Sequence, residues 1–130
     1  MDGPGVTLLT DGGTGWNTAD LSRRGRVALD LPSRPPLVSA DFTSSGGNRW
    51  IVQPGPAADD PLTDTALWMV DAQSLSGTER ISYAPFVRDG VEYAVHGRHI
   101  FFDSQGTRRM VLAQVDAAAN LPLDFLLLVF

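Results

Sequence analysis

The chain has no cysteine, no lysine and only two glutamates among its 130 residues. The first absence removes disulfides, thiolate zinc sites and a cysteine nucleophile together, so stability has to come from packing. Because lysine is missing, all ten basic residues are arginine, and against 15 acids they leave a net charge of −5. Phosphates are bound mainly through Lys and Arg, so this balance disfavours general binding to nucleic acid or to an anionic membrane. Thirteen of the 15 acids are Asp, and Asp is a poor helix former and a good turn former, which favours a loop-rich β protein. No stretch of about ten residues shows helical amphipathic spacing. No apolar run approaches the roughly 20 residues that a bilayer-spanning helix needs. Met1-Asp2-Gly3-Pro4-Gly5 lacks the basic and apolar regions of a signal peptide. The expectation is a soluble protein made in the cytoplasm.

What the sequence does contain is a hydrophobic content of 43%, with six Phe, three Trp and two Tyr, enough to form a core. The length predicts a single domain over residues 1–130. Apolar and polar residues alternate with period 2 in short runs. Val6 to Leu9 opens the series, and Arg26 to Leu31 places Val27, Leu29 and Leu31 on one face. Leu37 to Phe42, with Val38, Ala40 and Phe42 on one side, forms a predicted hairpin with Trp50-Ile51-Val52 across the loop Ser44 to Asn48. The Pro-rich stretch Pro54 to Pro61 cannot supply a strand ladder and reads as a crossover between sheets. Thr65 to Ala72 has apolar residues on both faces. Arg80 to Val87 and Val91 to Val95 flank Arg88-Asp89-Gly90, a strong hairpin signal. Ile100 to Phe102, the turn Asp103 to Gly106 and Arg109 to Val115 follow, then an Ala-rich connection 116–120. Turns about every ten residues predict an all-β sandwich of about seven to nine short antiparallel strands.

The last strand, after Pro122, is apolar in every residue from Phe125 to Phe130. Such a strand needs cover on both faces. The expected arrangement puts Phe125, Leu127 and Val129 in the core and presents Leu126, Leu128 and Phe130 to a neighbouring chain as an assembly interface, the alternative cover being loops of the same chain.

Chemistry-bearing patterns are weak. Asp11-Gly12-Gly13-Thr14-Gly15 lacks the Lys-Ser/Thr ending and helix of a phosphate loop. His96-Gly97-Arg98-His99 does not have the spacing of a metal pair on a strand and reads as a bulge or hairpin with exposed histidines. Asp59 and Asp60, with Asp64 nearby, lack the ligand spacing of a calcium loop and read as solvated. Neither Ser44-Ser45-Gly46-Gly47 nor Ser74-Leu75-Ser76-Gly77 forms a nucleophile elbow. No catalytic residue, metal ligand or cofactor is assigned. Trp16, Trp50 and Trp68, with Tyr83 and Tyr93, are the residues that could line a sugar-stacking surface, and Trp16, after a glycine loop, is the ligand-contact candidate.

The Gly-Thr-Gly loop before an aromatic (Thr14-Gly15-Trp16), the Arg24-Gly25-Arg26 strand start, the many short strands, the absence of cysteine and the apolar last strand together resemble small tailed-bacteriophage virion proteins. Capsid cement or decoration proteins are the nearest group. The resemblance implies a jelly-roll-like sandwich located on the virion, a dimer or trimer that contacts a major capsid or other virion protein, without enzymatic activity. The alternatives are a carbohydrate-binding β-sandwich module and a small enzyme whose site is assembled from residues distant in sequence.

Overall fold

The computed structural model of the chain describes residues 8–9, 13–16, 22–31, 35–116 and 125–130. Its regular elements are all strands: β1 (Leu8–Leu9), β2 (Thr14–Trp16), β3 (Arg23–Arg26), β4 (Leu37–Thr43), β5 (Arg49–Pro54), β6 (Ala66–Asp71), β7 (Gly77–Ser82), β8 (Phe86–Arg88), β9 (Val91–Tyr93), β10 (Val95–Phe102), β11 (Arg109–Val115) and β12 (Phe125–Val129). The fold is an all-β sandwich, and no helix occurs among the described residues. Val6, Thr7, Asp11, Gly12, the Ala-rich residues 117–120 and Pro122 lie outside the described residues.

The central layer is the four-stranded sheet β4-β5-β6-β7, antiparallel throughout. Its inner strands are the two that lack a polar face: Ile51, Val52, Leu67, Met69 and Val70 are all 2% exposed or less. Each face therefore acquires its own cover. On one side Trp50, Val52, Trp68, Val70, Ala72 and Leu75 pack under Leu9, Val27, Leu29, Leu31, Leu37 and Phe42. On the other, Ile51, Leu67 and Met69 meet Ile100, Phe102, Val111, Ala113, Leu126 and Leu128 of the second sheet, β10-β11-β12. A small sheet β1-β2-β3 and the hairpin β8-β9 complete the fold. Hydrogen-bonded neighbours among the described strands are consecutive in sequence, so each sheet is a meander without a Greek-key crossing.

Local chemistry explains most of these elements. Asp89 and Gly90 have φ of 52° and 76°, the two positive values a type I′ hairpin turn needs, and they join β8 to β9. Residues 27–31 alternate as expected, with Val27, Leu29 and Leu31 inward, although β3 ends at Arg26. That segment is held by Ala28, whose N–H donates to Leu75 O at 2.9 Å and whose carbonyl accepts from Gly77 N at 2.8 Å. In β4 a bulge between Leu37 and Ser39 reverses the side-chain parity. Leu37 and Phe42 thereby both reach the Trp50 layer, Phe42 edge-on to Trp50 at 5.3 Å, while Val38 is left exposed.

The Pro-rich segment is not a crossover between sheets. It joins β5 to β6, adjacent strands of one sheet. The loop folds back on itself: Ala57 and Asp60 exchange backbone hydrogen bonds at 3.0 and 3.2 Å, and Thr63 Oγ1 donates to Gly55 O at 2.7 Å while accepting from Ala57 N at 2.9 Å. Those bonds satisfy the polar backbone that prolines cannot pair in a ladder.

Two turns depend on a carboxylate. Asp71 Oδ1 accepts from the backbone N–H of Ser74 and of Gln73, both at 2.8 Å. The Ser74 bond most of all holds the Asp71 carboxyl below its ordinary value of 3.8, against the opposing effect of burial. Asp103 is held low in the same way by the N–H of Thr107 and of Arg108. A carboxylate whose folded pKa is depressed lends stability that is present above its unfolded value and is lost as the pH falls through the folded one. Urea midpoints measured between about pH 5 and about pH 2.5 are therefore expected to fall further for the native chain than for Asp71→Asn.

Candidate functional site

The most concentrated polar chemistry among the described residues lies where the loop 55–65 meets β10. Asp64 is 1% exposed. Its Oδ1 is 2.6 Å from His96 Nδ1, and its Oδ2 accepts from Arg98 Nη1 at 2.8 Å. The other ring nitrogen of His96, Nε2, lies 3.0 Å from Asp116 Oδ1. Both imidazole nitrogens thus face carboxylate oxygens, which gives the ring two acceptors and leaves no free nitrogen to attack or to bind a metal. Among the described residues no group of three or more His, Asp or Glu is placed to hold a metal ion.

Beside this cluster lies Gln53, the one polar side chain in an otherwise apolar stretch of β5 and fully buried. Its Nε2 is within 2.9–3.2 Å of three carbonyl oxygens, those of Pro54, Asp64 and Ala66. Its Oε1 accepts from the Tyr83 hydroxyl. Burial pushes that hydroxyl well above its usual value, and the nearby Asp64 charge adds to the effect, so Tyr83 remains a neutral donor. Gly97 passes over the pair, and a Cβ there would fall on Gln53 Oε1. Its N–H donates to Asp64 O at 2.9 Å. The network is closed on itself and ties the central sheet, the 55–65 loop and β10 into one register.

These positions correct two expectations. The bulge forms, as a register shift between Gly97 and His99, and His99 is exposed, but His96 is buried. Asp64 is likewise buried rather than solvated. The reason is shared: the folded-back loop brings Asp64 over β10, and each residue supplies the other's partner.

A cleft of about 360 Å³ opens between the β4–β5 and β10–β11 loops, lined by Asp41, Thr43, Ser45, Asp103 and Gly106 among others. Its carboxylates are already engaged. Asp41 accepts from Phe42 N at 2.9 Å and from Phe102 N at 2.7 Å, and Asp103 closes its own turn. The cleft is a by-product of the contact between two hairpin loops.

The aromatic residues do not gather on one surface. Trp50 and Trp68 are core on one face of the central sheet, Tyr83 is buried on the other, and Trp16 is half-buried in β2, opposite Leu8 and Arg23.

The last strand is turned over relative to the expectation. Leu126 and Leu128 pack against the core, and Phe130 stacks on Tyr83 with ring centroids 6.0 Å apart. Phe125, Leu127 and Val129 are the outward residues, 58%, 57% and 51% exposed. The register fixes this choice, because Leu128 lies opposite Val111 and Leu126 opposite Ala113, both fully buried. An alternating strand with apolar residues at every position carries no signal of its own for which set points inward.

Across the outer face of β10-β11-β12 the apolar side chains are contiguous. Val129 lies beside Met110 and Met110 beside Phe101, and Leu127 lies beside Leu112 and Leu112 beside His99. Polar groups mark its rim, where Arg98 Nε donates to Gln114 Oε1 at 3.1 Å. Comparison with protein families, with curated proteins and with solved structures finds no match for the chain.

Because the network is buried and mutually satisfied, truncating its centre is expected to cost far more than truncating its rim. Asp64→Ala strands His96 without its buried partner and should lower unfolding free energy by about 3 kcal/mol or more. Asp116, 58% exposed in its side chain, should cost no more than about 1 kcal/mol as Asp116→Ala. Denaturant unfolding of the two variants checks the order.

Proposed function

We propose that the chain is a non-enzymatic structural protein that acts by assembly, as a decoration protein on a virion lattice. The outer face of β10-β11-β12 is its attachment surface. The observation that carries the assembly reading is that face itself: Phe101, Leu112, Phe125, Leu127 and Val129 are exposed together, with His99 and Arg98 on the β10 side of them. Contiguous apolar faces of this kind mark interaction sites, unlike scattered single apolar residues. In support, the polar cluster is consumed internally, with both ring nitrogens of its buried histidine engaged. The virion setting, with a major capsid protein or another virion component as partner, rests on the sequence resemblance.

The test pairs two neighbours in β12. Leu127→Asp places a charge on the outer face, where it stays hydrated in the free protein, and is expected to give a folded chain that no longer cosediments with purified particles. Leu128→Asp forces a charge towards the Val111 layer and is expected to lose the fold. Native-like attachment of Leu127→Asp, or no attachment of the unaltered chain to particles, would reject the reading.

A further inference from the structure

We infer that a second copy of this chain adds its β12 to the outer edge of β12, antiparallel, about a two-fold axis through Leu127. The inference deepens the assembly reading by naming one partner and its geometry, and it uses the strand's edge rather than its outer face.

The hydrogen-bond phase of the ladder identifies the edge. Arg109 and Phe130 exchange both backbone bonds, at 3.0 and 2.9 Å. In an antiparallel pair such exchanging pairs recur at every second residue, and the β11–β12 register runs without a shift from Met110–Val129 to Gln114–Phe125. Leu128 and Leu126 therefore exchange bonds with Val111 and Ala113. The N–H and C=O groups of Phe125, Leu127 and Val129 point the other way, to the side where no described strand follows β12.

Edge strands are ordinarily blunted by a charge, a proline, a bulge or a covering element. Residues 125–129 have no charge, no proline and no bulge.

A second copy fits this edge for two reasons. Its outward residues are symmetric in kind about Leu127, so antiparallel pairing sets Leu127 against Leu127 and Phe125 against Val129 of the other copy, apolar against apolar. In addition, each chain carries a net charge of −5, so two copies approach best where neither presents charge, as here. Closed two-fold pairing is the common outcome for such self-complementary elements. It joins two three-stranded sheets into one of six strands and leaves the enlarged outer face for the lattice.

Amide hydrogen exchange on the unaltered chain is the direct test, run at low and high protein concentration beside a mass measurement in solution. The expected result is a dimer at high concentration in which the Leu127 and Val129 amides become protected, while those of Leu126 and Leu128 are protected at both. A chain that stays monomeric, or a dimer whose Leu127 amide exchanges as fast as in the monomer, overturns the inference.

Leu127→Pro gives a second test, since it removes a donor that the chain's own sheet does not use and edge strands accept such a proline. A folded Leu127→Pro chain that is monomeric supports edge pairing, and one that still dimerises overturns it. Leu112→Asp separates this inference from lattice attachment. Leu112 lies on the outer face but one strand away from the edge, so this variant is expected to dimerise normally while failing to bind particles. Loss of the dimer in Leu112→Asp would instead show face-to-face packing and reject the edge.

Discussion

The pair β5–β6 has no side it can present to water, and the rest of the fold is arranged around that constraint. Trp50, Val52, Trp68 and Val70 line one face and Ile51, Leu67 and Met69 the other, all of them buried. A strand that is apolar on both faces is stable only as the middle of three layers. The N-terminal segment needs only one apolar side for its part, and Val27, Leu29 and Leu31 supply it. The β10-β11-β12 sheet supplies the other cover. Its inner side chains are spent on the core, so its outer side chains become the face the molecule shows.

Apolar packing alone would not say how these layers align, since it is largely non-directional. Polar groups at the seams do. Ser39 Oγ accepts from Ile100 N at 3.0 Å, and Asp41 Oδ2 accepts from Phe102 N at 2.7 Å, so the edge of β10 that pairs with no described strand is met there by β4 side chains. Ser39 and Asp41, two residues apart, share the side that faces β10 by simple alternation, and the bulge at Val38 turns Leu37 to the opposite face. Further along β10, His96 and Gly97 join Gln53, Tyr83 and Asp64 in fixing the register of the loop 55–65. A buried network permits one alignment when its members are all satisfied, because any slip leaves polar groups unpaired at considerable cost.

This inward use of polar chemistry bears on function. The histidine and carboxylates that would make a catalytic or metal centre in another setting are here occupied with holding layers together. What faces outward on the second sheet is a largely apolar surface and a strand edge that no described strand pairs. On a chain with net negative charge, such a region is where contact with another molecule is least opposed. On the proposed reading, structural support and assembly are divided between the two sides of one sheet.

How much of this could be read from the sequence differs by kind of signal. Much of the turn chemistry was legible: Asp89-Gly90, Ser44 to Asn48 and Asp103 to Gly106 each end strands where expected, since their conformations are dictated within a few residues, whereas the break at Tyr83-Ala84-Pro85, which divides the expected strand Arg80 to Val87 into the end of β7 and β8, was not. One-sided alternation in residues 27–31 and two-sided apolarity in β6 were also legible, and with them the all-β class. The buried cluster was not. Asp64 and His96 are 32 positions apart and each looks like a surface residue in its local context, although Gln53 alone in an apolar run was a usable sign of buried polar pairing. For β12 the sequence raised the expectation of cover on both faces, but six consecutive apolar residues contain no phase. Only its pairing with β11, whose Val111 and Ala113 face the core, decided that Leu126 and Leu128 point inward and Phe125, Leu127 and Val129 outward, because inward and outward are set by the neighbouring strand and not by the strand itself.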